Sequence, residues 1–355
     1  MKSSKSDNLI IIGSGITGLM TAINAKLSGL DVYLVEKGDQ PSGTSVRIAG
    51  VLHSGARFAG WDDDLAKTCF EEWKWWISVL DKEKREVGGY FIKLKGEPEQ
   101  YLENWLNSLK AIGIPYTEID NPEIGKDINN DSIERYYFVP EIKINARYIT
   151  NELTEIAKRL GINYYTSSTI KEAELQGNEY KIAISGKNEI TVKGFPIITS
   201  GIEIPEVAKK FGINLQYSVY QGSHILLNTN ISEILELIHQ PKTYDLFIPT
   251  EMGTYVTPTL APYNNLIIGK EEINGFRNAV KGLFINEPDI IGYITAGRIS
   301  ITWPKSDIKT DYMTNTNNAI IAWSNNYACS RRVSYSIAET LGIKKALTYK
   351  LFNLF

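Results

Sequence analysis

Leu9 to Glu36, reading LIIIGSGITGLMTAINAKLSGLDVYLVE, constrains this chain more than any other stretch. Four apolar residues run straight into Gly13-Ser14-Gly15-Ile16-Thr17-Gly18. Ile16, Leu19, Met20, Ile23 and Leu27 then recur at helical spacing, and Gly29 marks a helix stop. A second apolar run, Val32 to Val35, ends on Glu36 and Lys37. The pattern is strand, glycine turn, helix, strand, acid.

Each part has a physical task. Gly13 permits the tight turn, Gly15 lets a pyrophosphate approach the backbone, and Gly18 lets helix and strand pack closely. The helix N-terminus offers unpaired N–H groups and partial positive charge to phosphates. Glu36, 18 positions beyond Gly18, lies where a carboxylate accepts from ribose hydroxyls. Gly13, Ser14, Gly15, Thr17, Gly18, Glu36 and Lys37 are therefore the first cofactor-binding candidates. These residues predict a dinucleotide and leave FAD and NAD undecided.

A chain of 355 residues has ample material for one large or two medium domains. With 43% hydrophobic and 22% charged residues it reads as globular, and a net charge of −3 gives no reason to expect nucleic acid. Cys69 and Cys329 are too few for a disulfide framework or a zinc site, so no metal is expected. The polar N-terminus MKSSKSDN and the lack of a long apolar run predict a cytoplasmic chain that does not span a membrane. The C-terminus, KKALTYKLFNLF, mixes lysines with Leu and Phe. It reads either as a last helix on its own domain or as a peripheral contact with a membrane or a partner protein.

Further along, Asp62 to Lys82 predicts an aspartate-capped helix, Gly88 to Ile92 a strand, Pro98 to Leu109 a second helix, and Ala146 to Leu160 a third, stopped by Gly161. Short alternating segments at 170–175, 179–184 and 189–192, separated by Gly-containing turns, predict a β-meander. Phe195 to Thr199 is an apolar strand ending at Ser200-Gly201, two more cofactor candidates. A βαβ unit followed by helix, strand, meander and strand resembles the FAD-binding fold of the glutathione-reductase type, which favours FAD. Beyond Leu215, alternating strands at 217–219, 224–227, 246–249, 255–259 and 265–269 fit a second, mainly antiparallel sheet, with a short helix at 233–239 and helical character at 280–284. Tyr293 to Trp303 and a closing helix, Ser330 to Leu341, return toward the first domain.

The expected fold class is thus α/β: a doubly wound parallel FAD-binding sheet with a β-meander, plus a second, mainly antiparallel substrate domain. Residues 1–88, 148–205 and 290–355 are assigned to the first and 89–147 and 206–289 to the second.

Several stretches together resemble the FAD-dependent glycerol-3-phosphate dehydrogenases of the D-amino-acid-oxidase-like superfamily. Gly43-Thr44-Ser45-Val46-Arg47 with Gly50-Val51-Leu52-His53-Ser54-Gly55-Ala56-Arg57-Phe58 resembles that family's second flavin-binding segment. Gly222-Ser223-His224-Ile225 resembles its GSHI motif, and Gly253 to Leu260 with Ile267-Ile268-Gly269 its TPTL strand pair. The resemblance implies that Gly43, Thr44, Ser45, Arg47, His53, Ser54 and Gly55 serve the flavin. It implies that His224 takes the substrate hydroxyl proton and that Arg57 faces an anionic substrate. Those residue types suit the task, since His titrates near neutrality and a guanidinium binds phosphate or carboxylate oxygens in pairs. The same His and Arg also occur as satisfied structural residues, and Lys270 and Arg331-Arg332 read as solvated charges.

The C-terminal fifth departs from the family pattern. Ala296-Gly297-Arg298-Ile299-Ser300 carries its Arg one place early without the following Pro, and Arg298 is the substrate-anchor candidate that the resemblance implies there. Trp323 to Ser330 stands where relatives have a glycine-rich turn, and it contains no glycine. The implied activity is oxidation of sn-glycerol 3-phosphate by hydride transfer to FAD, with electrons passed to a quinone or partner subunit. The alternatives are another 2-hydroxy-acid (L-2-hydroxyglutarate-like) or amine oxidoreductase, or a partner-dependent subunit without catalysis of its own.

Overall fold

The computed structural model describes residues 8–48, 50–238, 245–257, 261–302, 311–316, 318–324 and 326–347. The chain divides into two compact units, 1–46 with 146–219 and 298–355, and 47–145 with 220–297. These bounds differ from the expected ones chiefly at 47–88. There Val51–Leu52 pairs with Ile133–Lys143 and so groups with the second unit.

The first unit is built on a sheet whose centre is parallel. Asn8–Ile12 lies between Asp31–Val35 and the long strand Ile190–Ile198, with Asn163–Tyr165 outside the former and Ala319–Ser324 outside the latter. Asp311–Thr316 closes that edge antiparallel. The meander is Thr169–Gln176, Glu179–Ser185 and the first half of Ile190–Ile198, whose second half continues into the parallel sheet beside Asn8–Ile12. One strand thus serves both sheets, which is why Val192 and Ile198 share a core with Ile10, Ile182 and Ile321. Ile16–Leu27 follows the glycine turn as a buried helix, packed by the helices Ala146–Arg159 and Ser330–Leu341.

The second unit is a mainly antiparallel sheet in the order Ala261–Pro262, Gln216–Leu227, Gly253–Val256, Leu246–Thr250, Ile234–Leu237, Glu86–Leu94, Ile133–Lys143, Val51–Leu52, with Ile290–Thr302 beside Gln216–Leu227. Side chains alternate between its two faces. One face carries Ile92, Tyr136, Ile225, Leu227, Leu235, Phe247 and Val256, covered by Phe276 of the helix Lys270–Ala279 and by Leu283 and Phe284. The other carries Val51, Ile234, Leu246, Ile248 and Tyr255. The aspartate-capped helix is Asp63–Val79, with the Asp62 carboxylate accepting from Leu65 N–H at 2.9 Å.

Four expectations are corrected. Ile234–Leu237 is a strand, not part of a helix, because it pairs parallel with Gly89–Ile92 and antiparallel with Leu246 and Phe247. Residues 265–269 form a turn, with Asn265 and Leu266 at positive φ, instead of a strand. The helix of that region is Lys270–Ala279, started by the Glu272 carboxylate accepting from Gly269 N–H, and residues 280–284 follow it as a turn. Residues 343–347 form no helix and are held to the first helix, Asn24 bonding to Lys344 O and Ala346 N–H. Thr259 of an expected strand, His239, Trp303, Asn325 and the apolar end from Thr348 to Phe355 lie outside the described residues.

Candidate functional site

In the first unit the glycine turn has the shape that a pyrophosphate requires. Gly13 adopts φ +104°, and a Cβ there would lie 2.7 Å from Ser200 Cα. A Cβ on Gly18 would meet Gly13 O at 1.9 Å, so no other residue fits. The helix begins at Ile16 without an acidic residue in its first turn, which leaves its positive end unopposed. Ser45 Oγ accepts from Ile16 N–H at 2.9 Å, so the Gly43–Arg47 loop is fastened to the cradle. Ser200, where the parallel strand ends, keeps a buried Oγ with no hydrogen-bond partner among the described residues. A tight cradle and an orphaned hydroxyl beside it fit a dinucleotide's polar oxygens.

Glu36 has a definite task in this turn. Its Oε2 accepts from Ser14 N–H at 3.0 Å and Ser14 Oγ at 2.7 Å, and its Oε1 accepts from Gly38 N–H at 3.0 Å. Tyr164, on the neighbouring strand, donates to Ser14 Oγ at 2.9 Å. Burial pushes the Tyr164 phenol up to about 12, with the Glu36 charge adding and the Ser14 bond opposing. Thr17 is buried in the first helical turn, and Lys37 pairs with Glu203. Gly201 follows Ser200 at φ +60°.

The glycine-free stretch before the last helix is closed by side chains. Asn326 Oδ1 accepts from Ala328 N–H at 3.0 Å, and Tyr327 is buried with its hydroxyl 3.1 Å from Thr150 Oγ1. Asn326 thus caps a short 3₁₀ turn that leads into the helix at Ser330.

In the second unit the sequence-predicted residues cluster around buried carboxylates. Glu141 is fully buried and accepts from Ser54 N–H at 3.0 Å and Ser54 Oγ at 2.7 Å, with His53 Nδ1 3.4 Å away. The His53 ring meets Phe58 edge to face at 5.7 Å. Gly55, in left-handed conformation, allows the turn that carries Arg57. His224 is buried on Gln216–Leu227. Its neighbour Ser223 points to the opposite face, where it bonds Glu272. The face that holds His224 is the one carrying Tyr255, Leu246 and Glu236.

Arg57 does not present a free guanidinium to a substrate anion. It pairs with Glu236 through Nη1 and with Asp245 through Nη2 at 2.7 Å, both carboxylates being buried. Burial works against the Arg57 charge, and the two carboxylates more than offset it, so the group stays cationic. Burial pushes Glu236 well above the usual carboxylate range; Arg57 opposes this, and Asp245 and Glu141 add to it. Arg47 and Arg298 are half-buried, Arg298 on the strand Ile290–Thr302.

Glu141, Glu236, Asp245, Tyr164 and Thr257, whose buried Oγ1 has no hydrogen-bond partner among the described residues, escaped the sequence reading. Alternation was the available signal for Glu141 and Glu236, since each falls in phase with apolar residues of its own strand, Tyr137 and Val139 or Ile234.

Comparison with known proteins places these features in context. The family model described as "FAD dependent oxidoreductase" (DAO) matches residues 8–304. The chain is 26% identical over 265 residues to the A1 component of the anaerobic glycerol-3-phosphate dehydrogenase of Haloferax volcanii, covering 70% of this chain and 45% of that protein. It is 27% identical over 288 residues to the corresponding component of the Haemophilus influenzae enzyme, covering 77% and 51%. It spans about half the length of these curated relatives. Among solved structures, the FAD-bound, dithionite-reduced L-alpha-glycerophosphate oxidase from Mycoplasma pneumoniae superposes with a TM-score of 0.78 at 15% identity over 98% of both chains. Glycine oxidase from Geobacillus kaustophilus gives 0.73 at 13% identity over 95% of both. At such identities the likeness is one of fold.

Proposed function

Since the chain belongs to the DAO family of FAD-dependent oxidoreductases, we propose that it oxidises sn-glycerol 3-phosphate to dihydroxyacetone phosphate and passes the electrons to a quinone or a partner subunit. FAD is its cofactor, and when bound it supplies the hydride acceptor. Gly13, Gly15 and Gly18, with the first turn of the helix Ile16–Leu27, hold the pyrophosphate. The observation that carries the reading is the burial of His224 on the polar-bearing face of the second sheet, within a strand that contains the GSHI residues.

His224 takes the proton from the hydroxyl at C2, which the loss of a hydride from that carbon requires. Ser54, set by Glu141, and His53 beside that carboxylate line the same reaction. Arg298, half-buried on the strand Ile290–Thr302, is the guanidinium proposed to hold the phosphate, because the charge of Arg57 is already matched by two buried carboxylates. Partner and acceptor are proposed from the relatives, which are named as subunits of a larger enzyme.

The test is anaerobic addition of glycerol 3-phosphate to the FAD-loaded protein. Bleaching of the flavin bands supports the reading, and His224→Asn should slow it roughly 10²- to 10⁴-fold while retaining the flavin. Bands that persist with glycerol 3-phosphate but bleach with a 2-hydroxy acid or an amino acid overturn the substrate and leave the family untouched.

A further inference from the structure

Beside Arg57 the second unit contains a cleft of about 280 Å³ lined by Arg57, Trp61, Phe91, Tyr101, Trp105 and Glu236. Among the described residues its electrostatics are unbalanced. One guanidinium faces two buried carboxylates, and each of its pairings uses one oxygen per carboxylate. Glu236 Oε1 receives Arg57, whereas Oε2 is buried with no hydrogen-bond partner among the described residues. A desolvated carboxylate oxygen left without a donor is costly unless something supplies one.

The walls favour a particular donor. Phe91 and Trp105 stack at 5.3 Å between centroids, and Trp105 Nε1–H is already spent on Ala56 O at 2.8 Å. With its N–H spent, the indole meets the cleft with aromatic carbon. Aromatic faces attract cations, and more strongly where water is excluded. The described residues contain no cluster of three or more His, Cys, Asp or Glu able to hold a metal ion. The missing charge is therefore better supplied by an organic cation that also covers apolar surface.

We propose that this cleft binds an alkylammonium group, its N–H donating to Glu236 Oε2 and its carbon chain lying against Phe91, Tyr101 and Trp105. The site is independent of which compound reduces the flavin. An anion is disfavoured there, since Glu236 in the wall and Asp245 on Arg57 together outnumber the guanidinium.

The experiment is isothermal titration of the FAD-loaded full chain with n-butylammonium chloride, with n-butanol and sodium butyrate as neutral and anionic counterparts. Binding of butylammonium alone is expected. Glu236→Gln should weaken it roughly tenfold or more, the effect of one charge-assisted hydrogen bond. Tyr101→Ala, at the half-exposed rim, should weaken it less. Equal binding of butanol would mean a merely apolar cleft and overturns the proposal. So does an absence of butylammonium binding, or an unchanged affinity in Glu236→Gln. Should that variant fail to fold, the three-ligand comparison on the unaltered protein still decides.

Discussion

Ser54 rests on Glu141: its N–H and its hydroxyl both donate to one fully buried carboxylate, at 3.0 and 2.7 Å. The two residues lie 87 positions apart, so a segment that looks like a loop in sequence is fastened to an interior strand of the second sheet. The same carboxylate stands 3.4 Å from His53 Nδ1.

Glu141→Gln puts an amide N–H₂ where at least one of these donors now finds an acceptor. The expected loss is about 1–3 kcal/mol of stability, read from the midpoint of a urea melt. Flavin reduction should slow as well if His53 depends on this support. A melt coincident with the unaltered protein would show that Ser54 and His53 hold their places without Glu141.

Gly18→Ala tests the cradle. Its methyl would meet Gly13 O at 1.9 Å and Thr199 Oγ1 at 2.8 Å, and both belong to the packed turn. The helix must move away from the strand, so purified protein should carry little FAD and should not regain it on incubation. The ratio of flavin to protein absorbance measures this directly. Full occupancy would mean that helix and strand have room that the glycine does not reveal.

How much of this was legible before the fold was known depended on whether a signal was local. The βαβ turn, the meander and the Asp62 cap are set by residues close in sequence, and each appears where its pattern placed it. The parity of a strand is local too, but a charge inside it reads as a solvent-facing residue until its partner is known. Glu236 meets Arg57 across 179 positions, and nothing in Ile234-Leu235-Glu236-Leu237 names that partner, although its parity with Ile234 marks the face. The same run has too few residues to separate strand from helix by period, and pairing with Gly89–Ile92 decided it. Likewise the role of Glu36 could be anticipated only as a carboxylate near a ribose, whereas its bonds to Ser14 and Gly38 depend on the turn's closure.

Tyr164 ties that closure to pH. The unfolded phenol ionises near pH 10, whereas the folded one is held up to about 12, by burial first and then by the Glu36 charge. Between these values the unfolded chain has released a proton that the folded chain retains, so stability falls as pH rises through this window. Tyr164→Phe should cost about 1 kcal/mol at neutral pH through the lost bond to Ser14. It should also flatten the alkaline decline, as seen in melting temperature against pH. An unchanged slope would assign that decline to other groups.

Arg57→Met separates a structural guanidinium from a substrate anchor. Removing Arg57 leaves Glu236 and Asp245 buried without their cation, and breaking a buried pair in this way costs about 3–5 kcal/mol. The variant should recover part of that loss as the pH is lowered, because protonating a carboxylate raised by burial discharges the site. Asp245→Asn should be milder, since it keeps the Arg57–Glu236 pair and removes one of the two negative charges. Urea melts at neutral and acidic pH measure all three. If Arg57→Met melts like the unaltered protein while losing substrate-dependent flavin reduction, the guanidinium serves an anion in solution and its pairing with the two carboxylates contributes little to the fold.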